Sequence, residues 1–340
     1  MKTLWAVLAL FCFLLGAAVA AAATPPLLLV AKYKMPAAVQ GRFDHLAADI
    51  QGNRLFLAAE SAHEVLVFNL RTGKFLHAIK GIGIPHAILV RHHLNRIYVT
   101  DGGAGEVRIY DGTTYRLLKT VKLKVDSDSI GYNPATHLLY VVNGGGDAHQ
   151  SFSMLSIVNT ATDRKVADIR IDGRTLEAMA LAQHSPLLYV NNPALGQVDV
   201  VNRRTRAVVA RWPVKDCNHN VAMALDQPAH RLFTACRSGA IAVFDTQTGK
   251  EGLPPLPIPH GVDDMIFDPA SKRLYASCGG DGGWIAVYQI VDPGHFKYLG
   301  AVASAPGGKN EVLVPQLGRL FVTIPPRAGA PGEVYAYKVE

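Results

Sequence analysis

Ionisable side chains recur along this chain wherever a short run of small apolar residues begins. Seven positions of this kind lie 42 to 49 residues apart, and they are Asp44 with His45, His86, Asp128, Glu177, His219 with Asn220, Asp263 with Asp264, and Lys309 with Asn310. Carboxylate oxygens suit Ca²⁺ or Mg²⁺, and imidazole nitrogens also admit Zn²⁺ or Cu²⁺. If the fold brings the seven positions together, they form a candidate site for a small ligand or a divalent cation.

Two interpretations of this set remain open. In the first, the polar residues hydrate a water-filled channel and bond one structural unit to the next. In the second, closely spaced carboxylates raise one another's pKa, so a bound cation or basic ligand would stabilise the charged set. The chain carries a formal charge of +7, but its Lys and Arg residues are dispersed rather than clustered. This distribution disfavours nucleic-acid binding.

The elements that must position these residues follow a repeat. An apolar residue that opens a β-branched and aromatic segment recurs at the same spacing, at Leu55, Ile97, Leu139, Leu188, Leu232, Leu274 and Leu320. Each unit has a small apolar strand, a turn such as residues 133–136, the aromatic strand, a Gly-rich loop, an alternating strand and a fourth strand. Four strands per unit of this length are typical of a propeller blade.

We therefore predict an all-β fold, a seven-bladed β-propeller with four-stranded antiparallel blades. A single blade cannot cover both faces of its sheet, whereas stacking blades around a ring buries both. The last unit ends after three strands and residues 27–34 resemble the missing fourth, so the N-terminal strand is expected to pair with the last blade. Up-and-down connectivity then places the start of every first strand, and with it the candidate site, at one mouth of the central channel.

The first 23 residues differ from the rest of the chain. Lys2 precedes an apolar run over residues 4–20 that ends in small residues, which is the pattern of a secretory signal peptide. The run is shorter than the roughly 20 residues that a membrane span needs. We predict a signal peptide at residues 1–23, a propeller at residues 24–340, and a periplasmic or secreted protein with no membrane span after cleavage.

Three cysteines follow the predicted cleavage site, which allows one bridge in an oxidising compartment. Cys217 precedes the first strand of the fifth unit, and Cys236 ends the antiparallel partner of that strand. We therefore expect a disulfide between these two residues and a free thiol at Cys278. Haem attachment is disfavoured because no Cys-x-x-Cys-His motif occurs.

Two segments, Ile-Tyr-Val-Thr-Asp at 97–101 and Leu-Tyr-Val-Val-Asn at 139–143, resemble the YVTN-type, YncE-like β-propeller repeat family. The resemblance extends over all seven units. Departures from the repeat pattern occur at Glu60, Cys236, Cys278 and Pro325, and at the prolines between 254 and 259 in the fourth strand of the fifth unit. The resemblance implies an exported, often periplasmic or surface-associated, binding protein. Intracellular WD-repeat propellers match less well, because the chain has no Trp-Asp dipeptide.

Three functions are compatible with this fold. A binding propeller that holds a small molecule, a cation or a partner protein at the channel mouth is preferred, because no nucleophile elbow, HExxH pair or Walker loop is present. The alternative is a divalent-cation-dependent lactonase- or lyase-like enzyme with Glu177 or His219 as general base. The second alternative, single-stranded nucleic-acid binding, is supported by net charge alone. We expect the protein to be a monomer.

Overall fold

Seven antiparallel sheets, each a blade, surround a central channel in the computed structural model, which describes residues 25–340. This confirms the predicted seven-bladed propeller. The predicted signal peptide at residues 1–23 lies outside the described residues. Within residues 25–340, no helix has the length and apolar character needed to cross a bilayer.

The first two strands of each blade form the inner part of the ring. The first strands of blades 1 to 7 are β2 (Leu46–Asp49), β6 (Pro85–Arg91), β10 (Ile130–Asn133), β14 (Met179–Leu181), β18 (Asn220–Asp226), β23 (Val262–Asp268) and β27 (Glu311–Val314). The second strands are β3 (Arg54–Ala59), β7 (Arg96–Asp101), β11 (Leu138–Gly144), β15 (Leu187–Asn192), β19 (Arg231–Cys236), β24 (Arg273–Cys278) and β28 (Arg319–Ile324). First strands contact those of neighbouring blades, as β2 contacts β6 and β27, so they line the channel.

The last two strands of each blade form the outer part of the ring. The third strands are β4 (Glu64–Asn69), β8 (Glu106–Asp111), β12 (Phe152–Asn159), β16 (Gln197–Asn202), β20 (Ala240–Asp245), β25 (Trp284–Asp292) and β29 (Glu333–Val339). The fourth strands are β5 (Phe75–Lys80), β9 (Leu117–Lys122), β13 (Arg164–Asp172), β17 (Ala207–Pro213), the pair β21 (Lys250–Glu251) and β22 (Leu256–Pro257), β26 (His295–Ala303) and, in blade 7, β1 (Leu27–Lys34). Single-turn 3-10 helices occur at Glu60–Ala62, His92–Leu94 and Pro315–Leu317.

Apolar side chains of adjacent blades interlock to form the core. Phe56 and Val67 of blade 1, for example, pack in one cluster with Ile88 and Ile97 of blade 2. Second and third strands are almost wholly buried because both of their faces meet a neighbouring blade. Burying one side chain of this size contributes about 1.5–3 kcal/mol, so the stacking of blades supplies the main stabilisation of the ring.

The N-terminal strand closes the ring, as the sequence predicted. Strand β1 pairs antiparallel with β29, from Leu27 opposite Val339 to Lys34 opposite Glu333. The Tyr33 hydroxyl also donates a 3.0 Å hydrogen bond to the Leu70 carbonyl oxygen in blade 1. The same strand therefore completes blade 7 and ties it to blade 1.

Blade 5 departs from its neighbours at its outer edge. Its fourth strand is split into β21 and β22, which pair with opposite ends of β20. Prolines between residues 254 and 259 fall in and around this break. Proline has no backbone N–H to donate to a ladder, so a continuous strand cannot form there.

Candidate functional site

Irregular pairing at the start of the first strands aims polar side chains at the channel. In β6, Pro85 lies opposite Asp101 and Ile88 opposite Val99, so a bulge contains His86 and the residue that follows it. A similar shift in β23 leaves Asp263 outside the ladder. Bulges of this kind redirect a side chain without ending the strand, which is why they recur beside functional sites.

A polar cavity of about 140 Å³ occupies one mouth of the channel. It is lined by Asp44, His45, Glu60, His86, Asp128, Ser129, Glu177, Ala178, Val221, Arg237, Asp263 and Lys309. A second cavity of about 240 Å³ continues along the channel past Leu46, Ile88 and Met223, and it shares His45 with the first. The ring of first strands thus brings together Asp44, His45, His86, Asp128, Glu177, Asp263 and Lys309 at the polar mouth, as we expected from their spacing.

Asp263 is neutralised by two cations. Its carboxylate accepts hydrogen bonds of 2.7 Å from Lys309 Nζ and 2.7 Å from Arg237 Nη2, and Asn310 Nδ2 lies 3.1 Å away. Burial alone would raise the pKa of Asp263, but Lys309 and Arg237 hold it below its ordinary value. This side of the cavity is therefore electrostatically satisfied.

A chain of alternating carboxylates and imidazoles crosses from blade 6 to blade 2. The His45 Nδ1 atom lies 3.2 Å from Asp264 Oδ1, and His45 Nε2 lies 3.6 Å from Asp44 Oδ1. Asp44 Oδ2 then lies 2.5 Å from His86 Nδ1. Burial lowers the pKa of both imidazoles, but Asp264 and Asp44 raise that of His45 well above its ordinary value. Asp128 and Asp44 raise the pKa of His86 to about 9. Both imidazoles therefore carry positive charge near neutral pH.

The remaining side of the cavity is acidic, and its two carboxyls accept no hydrogen bond from a cationic side chain within residues 25–340. Asp128 Oδ1 is buried without a hydrogen-bond partner, and its distance to His86 Nδ1 is 3.9 Å. Burial, opposed by His86 and assisted by Asp44, raises the pKa of Asp128 to about 6. Burial together with Asp128 and Asp263 raises the pKa of Glu177 to about 8. These two carboxyls would gain most from a positively charged ligand.

Two sets of three side chains have the composition and proximity of a metal site. They are Asp44 with His45 and Asp128, and His86 with Asp126 and Asp128, with one ligating atom from each member within 4.8 Å of the others. Both sets share Asp128. The second set includes Asp126, which the repeat spacing did not mark because it lies two residues before the first-strand position.

Four sequence-predicted residues lie around the cavity rather than on its wall. Asp264 lines the second cavity, and its carboxylate accepts the Glu311 N–H at 3.0 Å. Asn310 is buried between Asp44 and Asp263. Asn220 is also buried, and its side-chain amide donates to Asn191 Oδ1 of blade 4 at 2.9 Å. His219 is exposed, with Nε2 3.5 Å from Arg237 Nη1.

Arg237 contributes a positive charge to the cavity that the spacing of the first strands did not predict. It directly follows Cys236 at the end of β19, and the bond between Cys217 and Cys236, with Cα atoms 5.4 Å apart, fixes that end to the segment before β18. Glu60 occupies the same place after β3 in blade 1 and also lines the cavity. The position directly after each second strand could therefore have been used to predict these two cavity residues. Among the cysteines that the structure describes, Cys278 has no disulfide partner. It is buried, and burial raises the pKa of its thiol.

A seven-bladed propeller with a charged channel mouth is the class that this fold and site define, and comparison with known proteins supports the propeller fold. No protein-family model matches the chain. Two curated relatives, each named uncharacterized protein YncE, come from Salmonella typhi and Salmonella typhimurium. Each is 33% identical to this chain over 99 residues, which is 29% of this chain and 28% of the relative. These matches support a YncE-like propeller.

The solved structure of Kuenenia stuttgartiensis hydrazine synthase contains a chain with a similar fold. The TM-score is 0.69 and the sequence identity 16%, over 84% of this chain and 94% of the other. At this identity the likeness shows the fold alone. The YVTN repeat assignment therefore remains a prediction from the repeat residues.

Proposed function

We propose that this chain is an exported binding protein that holds a small, positively charged ligand at the channel mouth. The observation that carries the proposal is the buried Asp128 Oδ1 atom, which has no hydrogen-bond partner in the part of the chain that the structure describes. A buried carboxylate oxygen of this kind is unfavourable unless a cation or donor reaches it. Export is supported by the signal-peptide pattern of residues 1–23.

The charge arrangement favours a cationic ligand over an anionic one. Lys309 and Arg237 both form ion pairs with Asp263. The protonated imidazoles of His86 and His45 form ion pairs with Asp44 and Asp264, respectively. Asp128 and Glu177 accept no hydrogen bond from these four cations, so a ligand cation placed beside them would form contacts that these side chains do not supply. A cavity of about 140 Å³ suits a single ion with bound water or a small amine rather than a large organic molecule.

Thermal unfolding in the presence of candidate cations tests this proposal. We expect at least one probe among small primary amines, Mg²⁺, Ca²⁺ and Zn²⁺ to raise the melting temperature of the mature protein with increasing concentration, because a ligand that binds only the folded state stabilises it by mass action. The double substitution Asp128→Asn with Glu177→Gln should abolish that shift. Asp292→Asn, on the outer hairpin of blade 6, is the matched control.

Two results would count against a cationic ligand. One is the absence of any shift with millimolar probes. The other is a shift of equal size in the double variant, which would place the ligand elsewhere on the molecule.

A further inference from the structure

Three side chains that could ligate a metal ion lie close together between blades 2 and 3, at the acidic side of the channel mouth. His86 comes from β6, whereas Asp126 and Asp128 come from the segment that precedes β10. One ligating atom from each lies within 4.8 Å of the other two. The set contains one imidazole and two carboxylates, which is a donor combination that binds divalent transition metals.

The backbone holds the two carboxylates in place from both blades. The Asp126 N–H donates to the Gly102 carbonyl oxygen at 2.8 Å, and the Asp128 N–H donates to the Val142 carbonyl oxygen at 3.0 Å. Between them, the Ser127 hydroxyl donates to the Lys124 carbonyl oxygen at 2.7 Å. The short segment is therefore anchored to blade 2 on one side and to blade 3 on the other.

The His86 ring is oriented by groups outside the set. Its Nδ1 atom is hydrogen-bonded to Asp44, so Nε2 is the ring nitrogen left for another partner. The His86 Nε2 atom lies beside Gly102. A Cβ atom at residue 102 would lie only 2.7 Å from Nε2, so a glycine at this position leaves room for the ring. A carboxylate that accepts from the second nitrogen of a histidine is the usual support of a metal-bound imidazole.

An independent observation comes from Asp128. Its Oδ1 atom is shielded from solvent, and the structure gives it no hydrogen-bond partner. The nearest imidazole nitrogen, at 3.9 Å, is already engaged by Asp44. Hydrogen bonds among protein groups therefore do not satisfy this oxygen, whereas a cation beside it would.

We propose that His86, Asp126 and Asp128 bind one divalent transition-metal ion, with Zn²⁺ the best chemical match, and that Asp44 positions His86 for it. The inference rests on the proposed function and identifies its ligand. Ca²⁺ requires six to eight oxygen ligands, more than this set supplies, whereas Zn²⁺ accepts mixed nitrogen and oxygen donors. Three protein ligands leave a coordination position open to the channel, where water or a small molecule binds.

Calorimetric titration of the chelator-stripped mature protein with ZnCl₂ tests the inference. We expect one ion per chain, and a rise of at least tenfold in Kd for His86→Gln and for Asp126→Asn, because each removes a ligand. Asp44→Asn should raise Kd about 10- to 100-fold through loss of ring orientation. Asp292→Asn is the matched control, since it removes a carboxylate outside the cavity, and its Kd should stay within about twofold.

Zn K-edge X-ray absorption of the wild-type complex gives a second readout that does not depend on the folding of any variant. One imidazole with oxygen ligands supports the inference, and two or more imidazoles or a thiolate overturn it. An unchanged Kd in Asp126→Asn also overturns it. If Zn²⁺ fails to bind while a small amine stabilises the protein through Asp128 and Glu177, the metal inference falls and the proposed function stands. If Zn²⁺, Mg²⁺, Ca²⁺ and small amines all fail to bind, both fall.

Discussion

Glu177→Gln is expected to stabilise the metal-free protein at neutral and alkaline pH. Burial first, and then the carboxyls of Asp128, Asp263 and Asp44, raise the pKa of Glu177 to about 8, while Arg237 opposes them. In the unfolded chain the same carboxyl ionises near 4.5. Because the folded-state pKa is raised, the stability that Glu177 contributes is complete below pH 4.5 and is lost as the pH rises toward 8.

The size of the effect follows from the gap between the two pKa values. Each pH unit between them is worth up to about 1.4 kcal/mol, so the upper bound on the penalty at pH 7 is about 3 kcal/mol. Partial exposure to water in the cavity reduces this, and we expect about 1 kcal/mol. Gln has the shape of the protonated carboxyl and never ionises, so Glu177→Gln should raise the melting temperature by about 2 °C at pH 7.

Differential scanning calorimetry at pH 5, 6, 7, 8 and 9 measures how the difference in melting temperature depends on pH. The buffers contain a chelator and no amine. The two proteins should unfold at nearly the same temperature at pH 5, and the advantage of the variant should grow to pH 8 and then level off. Glu333→Gln, on the third strand of blade 7, controls for the change in net charge. A pH-independent difference, or a variant that is less stable than wild type at pH 8, would refute the electrostatic reasoning.

Three further predictions concern the frame around the site. Replacing Cys217 and Cys236 with Ser should lower the free energy of unfolding by about 3 kcal/mol, given a sequence separation of 19 residues, as urea denaturation will measure. Asp263→Asn leaves two cations without their shared partner, so we expect a loss of about 1–3 kcal/mol at pH 7 in the same assay. Deleting residues 25–34 should lower the melting temperature and cause aggregation detectable by light scattering, since it exposes an outer edge of β29.

The fold could be predicted from the sequence because the signal for each blade is local. Every unit repeats the same order of strand patterns and turns, and stacking such sheets has few solutions other than a closed ring. Even the exceptions were visible, since the proline-rich stretch 254–259 marked the broken strand and residues 27–34 matched the strand missing from blade 7.

The candidate site could be predicted only in part, because repeat spacing gives chain position and not side-chain direction. In blade 5, a bulge between Asn220 and Ala222 and a left-handed backbone at His219, with φ of 63°, change which residue faces inward. Val221 lines the cavity there and His219 is exposed. Arg237 reaches the cavity from the position directly after a second strand, which the spacing of the first strands does not mark.

The closing strand also constrains when this protein can finish folding. All the other blades lie between Leu27 and its partner Val339 in the sequence, so the last sheet cannot be completed until those blades have been synthesised. Contacts of such long sequence separation carry a large loop-closure entropy and slow the final step. Until then β29 presents an open edge, and a partly folded chain is most vulnerable to association with other strands at that moment.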